Sequence, residues 1–171
     1  ALRADGWYLR QDIIWHKPNP MPESVRDRCT KSHEYLFLLS KNRKYYYDNE
    51  AIKEPVKQDW GTRNRDQGKY HNEGTGLQPH TGLTKSYPTK NKRSVWSITN
   101  KPYKGAHFAV FPPDLIEPCI LAGSERGDII LDPFMGSGTT GMVAKKHGRN
   151  YIGCELHEDY ASLQTDRIDS V

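Results

Sequence analysis

Cysteine is scarce: Cys29, Cys119 and Cys154 lie far apart and no C-x-x-C pair occurs. Neither a zinc cluster nor a disulfide framework is expected, and an intracellular, reducing compartment fits. Long apolar runs are missing as well. No stretch approaches the about eighteen apolar residues of a membrane helix, and no secretory pattern opens the chain, so no membrane partner is expected. Acid is absent from one region, with no Asp or Glu between Gly74 and Pro113, so a net charge of only +4 is unevenly spread. Disorder is excluded by ten Tyr and four Trp among the 171 residues. That length fits one domain able to bury a core.

What is present is organised around Leu131-Asp132-Pro133-Phe134-Met135-Gly136-Ser137-Gly138-Thr139-Thr140-Gly141. The run Asp128-Ile129-Ile130-Leu131 before it is short and rich in Ile, as in a buried parallel strand. The residues after it, Thr139 to Gly148, read as a helix with Lys145, Lys146 and His147 in its last turn and a glycine stop. Strand, glycine loop and helix form the opening unit of a nucleotide-type α/β sheet, whose ligands sit at the carboxyl ends of the strands.

Gly136, Gly138 and Gly141 match G-x-G-x-x-G, and Glu155 follows one strand later, so a dinucleotide site is the first rival. Asp132 argues against it. Beside a pyrophosphate in a partly desolvated cleft its charge would cost on the order of several kcal/mol. A cationic ligand reverses the sign. S-adenosylmethionine carries an ammonium and a sulfonium and no phosphate, and Glu155, ending Tyr151-Ile152-Gly153-Cys154-Glu155, can accept bonds from its ribose hydroxyls. A P-loop is excluded because no Lys-Ser/Thr follows the glycines.

Asp132 to Thr140, followed by Gly148-Arg149-Asn150-Tyr151-Ile152-Gly153-Cys154-Glu155-Leu156 and a helix, resembles the cofactor half of DNA amino-methyltransferases. Those enzymes move a methyl group from S-adenosylmethionine to the exocyclic nitrogen of cytosine or adenine in double-stranded DNA. The resemblance implies a Rossmann-like methyltransferase sheet of α/β class. It also implies that Asp132, Pro133, Phe134, Gly136, Ser137, Gly138, Thr139 and Glu155 bind the cofactor. The stretch Gly105 to Pro112 is similar to the element that wraps the methionine end, which adds His107, Phe111 and Pro112. A core role for Phe108 and Phe111 is the competing reading.

The chain before the motif carries the resemblance further. Ala1 to Gly6 has no initiator Met and reads as the last turn of a helix closing on glycine. Trp7 to Trp15 alternates as a strand, His16 to Pro22 is extended by its three prolines, and Glu34 to Leu39 is a second strand. Gly6 to Pro20 and Arg26 to Leu38 are similar to the strands and loops around the target-base pocket of the same family. Lys17, Asn19 and Arg28 then stand near the flipped nucleotide or its phosphates, against the alternative of a solvated polar loop.

From Ala51 to Asn100 no helical or strand period is sustained, which reads as a long loop. Lys85, Lys90, Lys92, Arg93, Lys101 and Lys104 fall in or near its acid-free part, interleaved with Tyr87, Trp96, Tyr103, Phe108 and Phe111. A one-signed, aromatic-bearing segment suits a polyanion such as DNA. In permuted members of the family the target-recognition segment lies between the two halves; a basic surface loop is the alternative. Next, Pro112 to Gly123 reads as a helix entered through proline, with Pro118 bringing a kink or tightened start.

One expected element is missing. The family positions the amine with Asp/Asn/Ser-Pro-Pro-aromatic, and no such tetrapeptide occurs. Phe111-Pro112-Pro113-Asp114 and Asn100-Lys101-Pro102-Tyr103 are near misses, so no catalytic residue is assigned. The sheet is also incomplete by strand count, about four against about five to seven. The expectation is an amino-terminally truncated piece, with residues 1–50 from the catalytic side, 51–104 a basic target-recognition insertion and 105–171 the cofactor half. Trp15-His16-Lys17-Pro18-Asn19-Pro20 is most similar to the Ser-Pro-Pro subgroup, which leans toward cytosine. A homodimer and a prokaryotic or phage cytoplasmic setting follow from the resemblance. A methyltransferase acting on RNA or protein, and a nucleic-acid-binding α/β module without methyl transfer, stay open.

Overall fold

The computed structural model describes residues 1–56, 88–100 and 111–171. Ala1–Ile52 with Arg93–Val171 form one compact unit and Lys53–Lys92 a second. In the second, β3 (Glu54–Pro55) pairs antiparallel with β4 (Thr89–Lys90), placing Glu54 opposite Lys90, and Lys92 Nζ lies 4.0 Å from the Glu54 carboxylate.

The first unit opens on the expected helix closure. Gly6 donates to the Arg3 carbonyl and Trp7 to the Leu2 carbonyl, with Gly6 at φ +83°, the paired bonds of a Schellman turn. Then β1 (Tyr8–His16) runs antiparallel to β2 (His33–Ser40) and parallel to β5 (Val95–Ser97), in the order β2-β1-β5. Period-two alternation turns Ile13 and Trp15 inward, where they meet Trp96 of β5 and Leu115. Each buried indole removes about 200 Å² from water, about 5 kcal/mol of transfer free energy. Their ring nitrogens are not left orphaned: Trp15 donates to Ile98 and Trp96 to Arg93, both to backbone carbonyls.

The helix α1 (Pro113–Gly123) starts behind Pro112, which is buried and extended at ψ 147°, and it continues through Pro118. After Gly123 the chain turns into β6 (Ile129–Asp132), α2 (Thr139–Lys146), β7 (Asn150–Gly153) and α3 (Asp159–Asp169). The pair β6 and β7 is parallel, with Asp132 beside Gly153. Ile120, Val143 and Ala144 form a second core between α1 and α2, backed by Ile116, Ile130 and Met142. Arg149 ties both helix ends: its guanidinium donates to the Ser124 and His147 carbonyls at 2.7 Å each. Cations serve well there because the last carbonyls of a helix lack partners. No helix among the described residues is long and apolar enough to cross a membrane.

Two expectations need correction. The stretch 51–100 does contain strands, β3 to β5, but of two or three residues each, too short for a period to register. And β6 is parallel as expected without being buried: Ile129 and Leu131 are each 63% exposed, because β7 is its only strand neighbour among the described residues and α2 covers the other face.

Candidate cofactor-binding site

The site grows from the ends of two adjacent parallel strands. Asp132 closes β6, and Glu155 comes two residues past the end of β7. Main-chain bonds carry the ladder beyond the strands, Cys154 donating to the Asp132 carbonyl and Met135 to that of Cys154. Each carboxylate then braces a loop. Asp132 accepts the Phe134 amide at 3.0 Å and the Thr140 hydroxyl at 2.5 Å. Glu155 accepts the Gly136 amide at 2.7 Å and the His157 amide at 2.9 Å. A carboxylate offers about four lone-pair directions, so such bracing is compatible with a ligand contact.

Glycine is required at particular points of this loop. Gly136 and Gly138 have φ +52° and +82°, in the left-handed region. At Gly141 a Cβ would lie 2.5 Å from Met135 Cε, and at Gly153 2.7 Å from Met135 Cγ. Met135, buried, fills the space that these two glycines leave between α2 and β7. The third glycine of the motif therefore allows close helix–strand packing, as expected of such a loop.

The predicted cofactor residues from 132 to 139 and Glu155 thus form one local cluster. Phe134 stands out at its tip, 86% exposed, while Ser137 and Thr139 are buried. Phe111 packs on the core of Ile13, Trp15, Trp96 and Leu115, and Pro112 is the residue before α1. His107 lies outside the described residues. Sequence reading missed three contributors. Thr140 was visible in the motif, whereas Gln164 and Arg167 of α3, bonded to the Gly136 carbonyl and the Ser137 hydroxyl, carry no local signal.

The residues expected on DNA are divided between the two units and the stretches outside the described residues. Lys17 pairs with Glu34 and stands 4.4 Å from the centre of the Trp15 ring, and Arg28 donates to Glu23 at 2.6 Å. Asn19 is exposed. Lys90 and Lys92 belong to the small second unit, and Arg93 opens the stretch leading to β5. Lys85, Lys101 and Lys104 lie outside the described residues, as do Tyr87, Tyr103 and Phe108.

Comparison with known proteins identifies the family. A family model described as DNA methylase, of the N6/N4 methyltransferases, matches residues 1–166. The Type II methyltransferase M.SmaI of Serratia marcescens is 51% identical over 168 residues, covering 98% of this chain and 49% of its own length. The chain spans about half the length of the curated relatives it matches. Among solved structures, a complex of M1.HpyAVI with S-adenosylmethionine superposes with a TM-score of 0.61 at 26% identity, over 97% of this chain and 65% of that one. The cytosine-N4-specific PvuII DNA methyltransferase gives a TM-score of 0.65 at 20% identity, over 95% and 51% of the two chains, which speaks for the Rossmann-like fold alone. With its family model covering nearly every residue, the chain belongs to the N6/N4 DNA methylase family.

Proposed function

We propose that this chain provides the cofactor-binding part of an enzyme that methylates an exocyclic amino nitrogen, cytosine N4 or adenine N6, in double-stranded DNA. The supporting observation is the pair of carboxylates, Asp132 at the end of β6 and Glu155 just past β7, which together hold the backbone amides of the glycine loop. That donor set fits S-adenosylmethionine. Asp132 would hold an ammonium or sulfonium through its charge, and Glu155 would accept bonds from ribose hydroxyls. The cofactor supplies an electrophilic methyl carbon on a positively charged sulfur. This chain's residues hold that end in place and orient it, which is the larger part of the task in a transfer that needs in-line approach more than acid–base help. A target base must be rotated out of the duplex to reach such a site.

Residues 51–104 are assigned to target recognition, with Lys85, Lys90, Lys92, Arg93, Lys101 and Lys104 on DNA phosphates and Lys17, Asn19 and Arg28 near the flipped nucleotide. A bacterial or phage cytoplasm and a paired enzyme complete the reading. Calorimetry with S-adenosylhomocysteine tests it: saturable heat is expected, and none with NADH. Absence of heat would move the chain to the nucleic-acid-binding modules that transfer nothing. Binding to a DNA duplex should weaken with salt along a log–log line, and an affinity indifferent to ionic strength would remove the phosphate contacts.

A further inference from the structure

The helix α3 packs against the glycine loop. Gln164 Nε2 donates to the Gly136 carbonyl at 2.8 Å, and Arg167 Nη1 to the Ser137 hydroxyl at 2.6 Å. Spaced at i, i+3 and i+4, Gln164, Arg167 and the buried Ile168 share one helix face. The approach reaches backbone distance: a Cβ on Gly138 would meet Gln164 Cα at 3.2 Å and Ile168 Cδ1 at 3.3 Å.

The first bond acts on the Gly136–Ser137 peptide itself, and the second on the side chain that leaves that peptide at Ser137. In a trans peptide the carbonyl and the following amide point opposite ways, so holding the Gly136 carbonyl toward α3 turns the Ser137 amide away from it. Ser137 is only 2% exposed, and among the described residues no group accepts that amide. A buried donor left so is costly unless an acceptor arrives. Gly136, at positive φ and without a Cβ, would let the unit swing if nothing gripped it.

We infer that Gln164 and Arg167 are positioning residues for the cofactor, fixing the Gly136–Ser137 peptide so that its amide faces the ligand. Arg167 acts through the Ser137 hydroxyl, which is an anchor and not a ligand contact. The inference rests on the S-adenosylmethionine reading of the site. Its test uses the whole chain and S-adenosylhomocysteine in a calorimeter. Gln164→Leu and Arg167→Met should each raise the dissociation constant about tenfold, the equivalent of one hydrogen bond's net contribution. Arg167→Lys, which can still donate to Ser137, should recover most of the loss, and binding to a non-specific duplex should not change. Combining Arg167→Met with Ser137→Ala should cost no more than Ser137→Ala alone. A dissociation constant within twofold of wild type in the Leu and Met variants, with helix content retained, overturns the inference, as does full additivity in the cycle. If Arg167→Met loses helix content, Arg167→Lys decides: near-wild-type affinity supports the role, and the full Met-sized loss in a folded protein defeats it. No heat from the wild type defeats the cofactor reading and the inference with it; heat from the wild type with unchanged variants defeats the inference alone.

Discussion

Asp132→Asn separates the charge of this carboxylate from its hydrogen bonds. The aspartate oxygens accept the Phe134 amide and the Thr140 hydroxyl. Asparagine keeps an oxygen for the Phe134 amide and turns its NH2 toward Thr140, whose hydroxyl can accept as readily as donate. Both bonds survive in neutral form, so folding should lose only the charge assistance, about 1 kcal/mol. For a chain of this size that is a fall of about 2–4 °C in melting temperature. Ligand binding should lose more. A carboxylate about 4 Å from a cationic centre contributes about 4 kcal/mol at an effective dielectric of 20 before desolvation is subtracted. A net loss of about 1–3 kcal/mol, or roughly 5- to 150-fold in affinity, is therefore expected. Calorimetry with S-adenosylmethionine and with S-adenosylhomocysteine reads this directly, since only the first carries the sulfonium. Thr140→Val is the control, because it removes the hydroxyl brace and leaves the charge; it should lower stability and spare affinity. If Asp132→Asn bound both ligands within twofold of wild type, the electrostatic argument would be wrong and Asp132 would be a brace only.

Gly138→Ala should cost about 1–3 kcal/mol in a urea titration, because it sets a methyl group at φ +82° against the Gln164 backbone; a neutral result would mean that α3 does not pack there. The hydrogen bonds from Lys146, and then from His147, hold the Glu117 carboxyl below its ordinary 4.5 against the opposing effect of burial. A depressed folded value means that this stabilisation is complete above pH 4.5 and is lost as pH falls through the lowered value. Glu117→Gln should therefore remove about 0.5 kcal/mol at pH 7 and flatten the acid limb of the stability curve, and an unchanged limb would show that the pair contributes nothing. Leu131→Lys, on the open face of β6, should alter folding stability by less than about 0.5 kcal/mol and reduce concentration-dependent association in sedimentation velocity. Unfolding of that variant would mean the face is covered.

Why one part of the site could be read from sequence and another could not follows from distance along the chain. The unit from β6 to α2 is specified within some twenty residues: an Ile-rich run, an acid at the strand end, glycines where φ is positive, a helix that stops at glycine. Each choice has a local steric or hydrogen-bonding cause, so pattern and structure agree. The same holds at Gly6, whose Schellman turn needs only five neighbours. Burial is different. The β6 run looks like the inside of a sheet, yet burial depends on which strands and helices flank it, a property of the assembled fold and not of the run. The basic side chains illustrate the same limit: Lys17 and Arg28 look available as residues, and each is found with a carboxylate partner, Glu34 and Glu23. The contacts of α3 are the clearest case. Gln164 and Arg167 meet a loop 28 and 30 residues earlier, and a polar helix face has the same composition whether it meets water or another segment. Their role rests on a carbonyl direction and a buried hydroxyl, which become visible only when the two strand ends are set side by side.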